Sequence, residues 1–137
     1  MEAIMKRLNL LVWVLGIFLF ASHTESLAQQ QSAKVYWMQT VTVSLGKLQD
    51  YHSFAEKEMR PLQEKHGYHF VAGWQTVIGD IEEVILVAEF DNTDAYLKAR
   101  MSLLASAEYR SHQPRIDALV KGIRTRMMTA LPYIKMN

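Results

Sequence analysis

The chain has 137 residues, half of them apolar, which is enough for one ordinary domain with its own hydrophobic core. Its 15 basic and 14 acidic side chains give a net charge of +1 and are interspersed without a run of one sign, which argues against nucleic acid or an anionic membrane surface as the main partner. The sequence contains no cysteine, which excludes disulfides, thiolate metal sites and a cysteine nucleophile.

The N-terminal 28 residues show the order of features that is typical of a cleaved export signal. Lys6 and Arg7 form a short basic region, an apolar run over residues 8–20 follows, and Ser26 and Ala28 supply the small side chains that a signal peptidase reads. The run is shorter than the ~20 residues that a membrane span needs, so an uncleaved anchor is the less favoured alternative. We therefore predict three segments, which are a signal peptide (1–28), a polar linker (29–33) and a domain (34–137) that is periplasmic or secreted, with no stable membrane anchor after cleavage.

The mature chain opens with a predicted strand and a predicted helix. Over residues 34–45, β-branched and aromatic side chains follow the two-residue alternation of a strand. Gly46 interrupts this pattern, and over residues 48–62 apolar side chains recur at helical spacing. Pro61 has no N–H to bond the carbonyl four residues earlier, so we expect a kink or a break in the helix near it.

A hairpin is predicted next. Residues 68–78 and 84–90 are rich in aromatic and β-branched side chains, and Gly79-Asp80 between them has the chemistry of a turn. The second strand is apolar at every position of residues 84–88, so both of its faces should be buried. One face requires helices, and the other requires a partner.

The last part of the chain predicts two helical pieces and a strand. Capping residues at 91–94 precede a helix over residues 95–107, and a second piece over residues 108–119 is expected to bend near Pro114. Residues 123–131 alternate as a strand does. The first of these helices is expected to present an apolar stripe formed by Leu97, Met101 and Leu104.

The element order is therefore β-α-β-β-α-β, which predicts an α+β ferredoxin-like sandwich with an antiparallel sheet and both helices on one face. The other face has to be covered, and the simplest cover is the same face of a second copy. We therefore predict a homodimer. The residues expected at its interface are Val41, Val43 and Leu86.

The hairpin and its flanks resemble the NIPSNAP family, whose members carry a GxWxTxxGD hairpin. The matching residues are Pro61-Leu62, Glu64-Lys65-His66-Gly67, Gly73-Trp74, Thr76, Gly79-Asp80 and Phe90-Asp91. The resemblance implies the dimeric α/β-barrel superfamily, in which two ferredoxin-like protomers pack sheet to sheet around a cavity. Some members of that superfamily use the cavity for monooxygenase or isomerase chemistry.

This chain departs from the resembled pattern at positions that could carry chemistry. Family members often place Glu, Arg and Tyr where this chain has Trp37, Gln39 and Val41, and a His and a Trp where it has Leu86 and Ala88. Chemistry that relies on those groups is therefore not expected here.

The strongest candidate site is an apolar pocket turned to the interior of the dimer, with few polar groups. The residues expected to line it are Trp37, Gln39, Trp74, Thr76 and Leu86. Periodicity alone does not fix which sheet face each occupies, because a one-residue change of register in the hairpin reverses the faces.

Titratable residues give weaker signals. His66 and His69 are three apart but are separated by Gly67, so they are not aligned on one helix face and no metal site is predicted. Glu89 interrupts an apolar strand and is expected to pair with Arg124 or Arg126.

The sequence thus favours an exported homodimeric protein that binds a small molecule or serves a structural role, with no dedicated cofactor and no assigned reaction. One alternative is a cofactor-independent monooxygenase or isomerase that uses the same cavity. A second is a carrier for haem or another flat apolar ligand, with His69 or His112 as the axial ligand.

Overall fold

A computed structural model describes residues 34–134. The predicted signal peptide and linker lie outside these residues. The strands are β1 (Val35–Val43), β2 (His69–Gln75), β3 (Glu83–Phe90) and β4 (Val120–Thr129). The helices are α1 (Leu48–Phe54), a π-helical segment (Ala55–Met59), α2 (Arg60–Lys65), α3 (Thr93–Ala105) and α4 (Ala107–Leu119). None of the helices within residues 34–134 is long and apolar enough to cross a membrane.

The four strands form one antiparallel sheet in the order β2-β3-β1-β4, with the helices on one face. β1 and β3, which are the most apolar strands, occupy the centre of the sheet. Because β1 pairs with both β3 and β4, the first strand of the chain lies between two strands from its second half. The predicted ferredoxin-like α+β sandwich is confirmed.

The core lies between the sheet and the helices, and Trp37 is its largest fully buried side chain. Its ring packs edge to face against Tyr68, with 5.2 Å between centroids, and against Phe70 at 6.5 Å. The indole Nε1 is sealed from solvent and has no hydrogen-bond partner. The residues that share this cluster with Trp37 are Val35, Leu62, Tyr68, Ala88, Phe90, Ala99 and Leu103.

The helix face of the sheet carries the residues that the sequence predicts for a dimer interface. Val41 and Val43 are 2% and 1% exposed and pack in a second core cluster with Tyr51 of α1. Leu86 is half-buried against the same cluster. The interface assignment of these three residues is therefore corrected, because they lie beneath the helices of their own chain.

A bulge in β2 reverses the faces of the residues that follow it. Phe70 pairs with Ala88 on the helix face, but Ala72 pairs with Val87, so one extra residue lies between these two pairs. Trp74 consequently lies opposite Ile85 on the face that carries no helices, and it is 57% exposed. The prediction that Trp74 shares a face with Trp37 is wrong for this reason.

The disruption expected near Pro61 takes the form of the π segment. The N–H of Arg60 bonds the carbonyl of Ala55, five residues earlier, so the helix contains one extra residue just before the proline. Tyr51 and Gln63 are twelve residues apart, and at about 100° per residue an unbroken α-helix would place them roughly 120° apart. The π segment absorbs one residue, which reduces the angle between Tyr51 and Gln63 to about 20°. Both side chains are buried on the side of the helix that faces the sheet.

The second helical region breaks at Ser106, close to the predicted boundary between its two pieces. Ser106 is extended (φ −70°, ψ 139°), and its hydroxyl accepts a hydrogen bond from the N–H of Tyr109 at 3.1 Å, which caps α4. α4 then continues through Pro114 without interruption.

In α3, the buried side chains are Ala99 and Leu103, and the predicted stripe of Leu97, Met101 and Leu104 is exposed. Ala99 and Leu103 pack against Phe90 and the other members of the Trp37 cluster on the side of the helix that faces the sheet.

Candidate functional site

A cavity of about 410 Å³ lies between the first helical region and the helix face of the sheet. We call it the helix–sheet cavity. α1, the π segment and α2 form one wall, and β1, β2 and β3 form the other. Its lining residues are Gln39, Tyr51, His52, Ala55, Glu56, Met59, Arg60, Gln63, Phe70, Ala72, Gly73 and Leu86.

Two polar side chains in this cavity are almost completely buried, since Tyr51 is 6% exposed and Gln63 is 7% exposed. Neither forms a side-chain hydrogen bond with another residue of the described range. Burial raises the pKa of the Tyr51 hydroxyl to about 12, so this group keeps its proton at neutral pH and can donate a hydrogen bond. The two side chains are therefore available to a bound molecule.

The rim of the cavity is polar, and two of its side chains are already paired. His52 Nε2 lies 3.0 Å from Gln75 Oε1. Arg60 Nε donates to Glu64 Oε1 at 2.8 Å on the exposed side of α2. The charged side chains at the rim therefore stay in solvent, and the interior is lined by uncharged groups.

A second concavity of about 710 Å³ lies on the sheet face that carries no helices. We call it the sheet-face groove. Apolar side chains dominate it, and the Lys34–Glu89 ion pair, with 2.9 Å between Nζ and Oε1, stands at one end. The apolar and aromatic residues that line it are Tyr36, Met38, Val71, Ala72, Trp74, Val87, Met128, Ala130, Leu131 and Ile134.

The five residues predicted to form one pocket are divided among different places. Gln39 and Leu86 line the helix–sheet cavity, and Trp37 lies in the core beside it. Trp74 lines the sheet-face groove on the opposite side of the sheet. Thr76 lies beyond the end of β2, where its N–H bonds the carbonyl of Glu83 at 3.0 Å. The structure therefore does not bring these residues together.

The predicted partner of Glu89 is also corrected. Glu89 pairs with Lys34, whereas Arg124 donates to Glu83 Oε1 at 2.6 Å. Both carboxylates project from the face without helices, but Glu83 lies at the other end of β3, nearer to Arg124.

The histidines occupy separate environments. His66 Nδ1 lies 2.7 Å from the hydroxyl of Ser102 in a cleft at the end of the sheet that His69 also lines. His112 packs edge to face on Phe54 and lies 3.7 Å from a carboxylate oxygen of Glu58. Among residues 34–134, no group of three or more His, Asp or Glu side chains could hold a metal ion.

Sequence reasoning alone does not single out Tyr51 and Gln63. Tyr51 belongs to the predicted apolar stripe of the first helix, and Gln63 follows the last member of that stripe. The signal that could have found Gln63 is Pro61, because an extra residue absorbed before the proline turns Gln63 toward the same side as Tyr51.

A sequence model of the NIPSNAP family matches residues 36–135, which is most of the chain. The chain belongs to the NIPSNAP family. This confirms the resemblance that the hairpin motif suggested. No curated protein matches this NIPSNAP chain.

Solved structures of other NIPSNAP proteins share the fold. A NIPSNAP family protein from Agrobacterium tumefaciens is 18% identical, with a TM-score of 0.68 over 74% of this chain and 90% of that chain. A second protein from the same organism, described as having unknown function, is 22% identical, with a TM-score of 0.70 over 75% and 93% of the two chains.

A more distant structure comes from outside the family. SnoaB, a cofactor-independent oxygenase from Streptomyces nogalater, is 18% identical, with a TM-score of 0.57 over 76% of this chain and 99% of that chain. At these identities the similarities show the fold alone.

Proposed function

We propose that this NIPSNAP protein is exported, forms a homodimer and binds a small, largely apolar molecule in the helix–sheet cavity. The observation that carries the proposal is the composition of that cavity, which combines apolar walls with the two buried polar side chains of Tyr51 and Gln63. Small-molecule sites generally have this composition, because apolar walls supply affinity and a few polar groups fix orientation.

The alternative function is the cofactor-independent oxygenase or isomerase chemistry suggested by the similarity to SnoaB. Such chemistry needs a group that takes a proton from the substrate. The deepest titratable group of the cavity is Tyr51, and its raised pKa of about 12 holds its proton at neutral pH. Tyr51 is therefore a proton donor rather than a base, and this supports binding as the first hypothesis.

Filling the cavity should abolish ligand binding without unfolding the protein. A Cβ added at Gly73 would meet Leu86 Cδ2 at 3.5 Å and the carbonyl oxygen of Ile85 at 3.7 Å, which are ordinary contacts. The backbone at Gly73 therefore tolerates a side chain, and the side chain of Gly73→Leu would enter the cavity. Gly122→Leu is the matched control, because a Cβ there would meet no atom within 4 Å and Gly122 does not line the cavity.

The measurement is the amount of small molecule that is extracted from each protein after purification from its native host and identified by mass spectrometry. We expect wild type and Gly122→Leu to retain a compound that folded Gly73→Leu loses. If all three proteins retained equal amounts of the compound, the helix–sheet cavity would not be its binding site. An absorbance scan of the same samples tests the haem-carrier alternative, since a Soret band would favour it.

Export is expected to remove the N-terminal segment. Mass spectrometry of the mature protein should give an N-terminus at or near Gln29, because the basic, apolar and small residues before it have the order of a signal peptide. Recovery of a chain that retains Met1 in the membrane fraction would contradict cleavage.

A further inference from the structure

From the polar groups of the helix–sheet cavity, and on the basis of the proposed function, we infer that the ligand is an uncharged molecule whose deep end carries a hydroxyl, carbonyl or amide group bonded by Tyr51 and Gln63. Two features of the cavity support this chemical class and this orientation. The deep polar side chains form no side-chain hydrogen bond with another residue of the range 34–134, and the charged side chains lie at the rim.

We place the polar atoms of Tyr51 and Gln63 at the wall of the cavity. Trp37 Nε1 is the side-chain polar atom of the described range that is sealed from solvent without a partner, and the polar atoms of Tyr51 and Gln63 are not in that state. Both residues line the cavity, and their other surfaces are buried against the protein. The space that these polar atoms can reach is therefore the cavity itself.

A ligand that fills the cavity removes these two groups from water, so a ligand that bonds them binds more tightly than one that leaves them buried without a partner. The Tyr51 hydroxyl donates one hydrogen bond and accepts others, and the Gln63 amide both donates and accepts. Together they match a hydroxyl, a carbonyl or an amide. A purely hydrocarbon ligand would leave both groups unpaired.

A charged ligand does not fit the same position. Arg60 is paired with Glu64 on the exposed side of α2, and Glu56 is exposed at the rim. The deep residues Gln39, Tyr51 and Gln63 carry no charge at neutral pH, so an ion placed there would be desolvated without a counter-charge. The charged groups of the rim therefore remain hydrated, and the ligand group at the deep position is polar and neutral.

The probes for the test are 2-naphthol, naphthalene and 2-naphthoate, which share one ring system and differ in a single group. Affinities are measured at pH 7 from the fluorescence of each probe. We expect wild type to bind 2-naphthol at least about tenfold more tightly than either naphthalene or 2-naphthoate, because each well-placed hydrogen bond contributes on this order.

The variants Tyr51→Phe and Gln63→Leu should bind naphthalene at least as tightly as wild type does and lose about tenfold in affinity for 2-naphthol. Retained naphthalene binding shows that the cavity of each variant is intact. Tyr68→Phe is the matched control, since Tyr68 is 3% exposed but does not line this cavity, and it should leave all three affinities unchanged.

Equal affinities of wild type for naphthalene and 2-naphthol, or a preference for 2-naphthoate, would overturn the inference and leave the proposed binding function standing. Retention of the wild-type preference by both Tyr51→Phe and Gln63→Leu would overturn it as well. Failure of wild type to bind any of the three probes would instead count against the proposed function, and the inference would fall with it.

Discussion

Replacing Trp37 with alanine should lower the free energy of unfolding by about 3–5 kcal/mol, a large part of the roughly 5–15 kcal/mol that stabilises an ordinary domain. The side chain is 2% exposed and joins β1 to the aromatic rings of Tyr68 and Phe70. Its loss leaves a cavity between the sheet and the helices that close-packed neighbours fill only in part. Urea denaturation at one fixed protomer concentration measures the effect.

Trp37→Phe is the informative companion variant. It keeps an aromatic ring in the core and removes the Nε1–H group, which has no hydrogen-bond partner. We expect it to cost only roughly 1 kcal/mol, because the lost volume is partly offset by removal of an unsatisfied donor. If the alanine variant cost no more than the phenylalanine variant, Trp37 would not be the packing centre of the core.

Replacing Trp74 with glutamate should convert the proposed homodimer into monomers and raise its dissociation constant by at least about 100-fold. Trp74 is 57% exposed on the face without helices, and Val71, Leu131 and Ile134, which line the sheet-face groove, are about half exposed, at 46%, 49% and 55%. Stable interfaces bury roughly 800 Å² per partner, and a charge placed among these apolar side chains would lose its hydration when the interface forms.

Sedimentation at micromolar concentration is the measurement, with Leu45→Glu as the control. Leu45 is 85% exposed in the turn after β1, so the same change of an apolar side chain to glutamate should leave the dimer intact there. A wild-type protein that sediments as a folded monomer would contradict the dimer. Equal dissociation of the two variants would show that the effect is not specific to the sheet face.

The strand and helix order could be predicted from the sequence because each signal is local. The two-residue alternation of β1 and the Gly79-Asp80 turn depend on neighbours within a few positions. The apolar run of β3 predicts burial of both faces of this strand, and β3 lies in the interior of the sheet, between β2 and β1.

The candidate site could not be predicted in the same way, because it depends on two one-residue irregularities. The extra residue between Phe70 and Ala72 moves Trp74 to the other face of the sheet. The π segment turns Gln63 toward the sheet. Neither irregularity changes composition or periodicity enough to be seen in a window of ten residues, yet each decides which side chains meet.

The remaining difference between prediction and structure is the buried side of α3, and packing explains it. A helical wheel ranks Leu97, Met101 and Leu104 as the buried stripe because they are the more apolar residues. The structure instead buries Ala99 and Leu103, which pack in one cluster with Phe90 and Tyr68. Which stripe faces the core therefore depends on packing partners that lie elsewhere in the sequence.

The π segment also has a consequence for how this family can diversify. A helix that contains one surplus residue can lose it and become a regular α-helix, with its hydrogen bonds intact and its ends still joined to the same strands. The residues after the deletion would keep their orientation relative to Tyr51, because eleven residues of regular α-helix also place two side chains about 20° apart, and Gln63 would stay on the floor of the cavity. Loss of a single residue within Ala55–Met59 would thus change only the part of the cavity wall that the π segment itself forms, while the side chains before and after it keep their places.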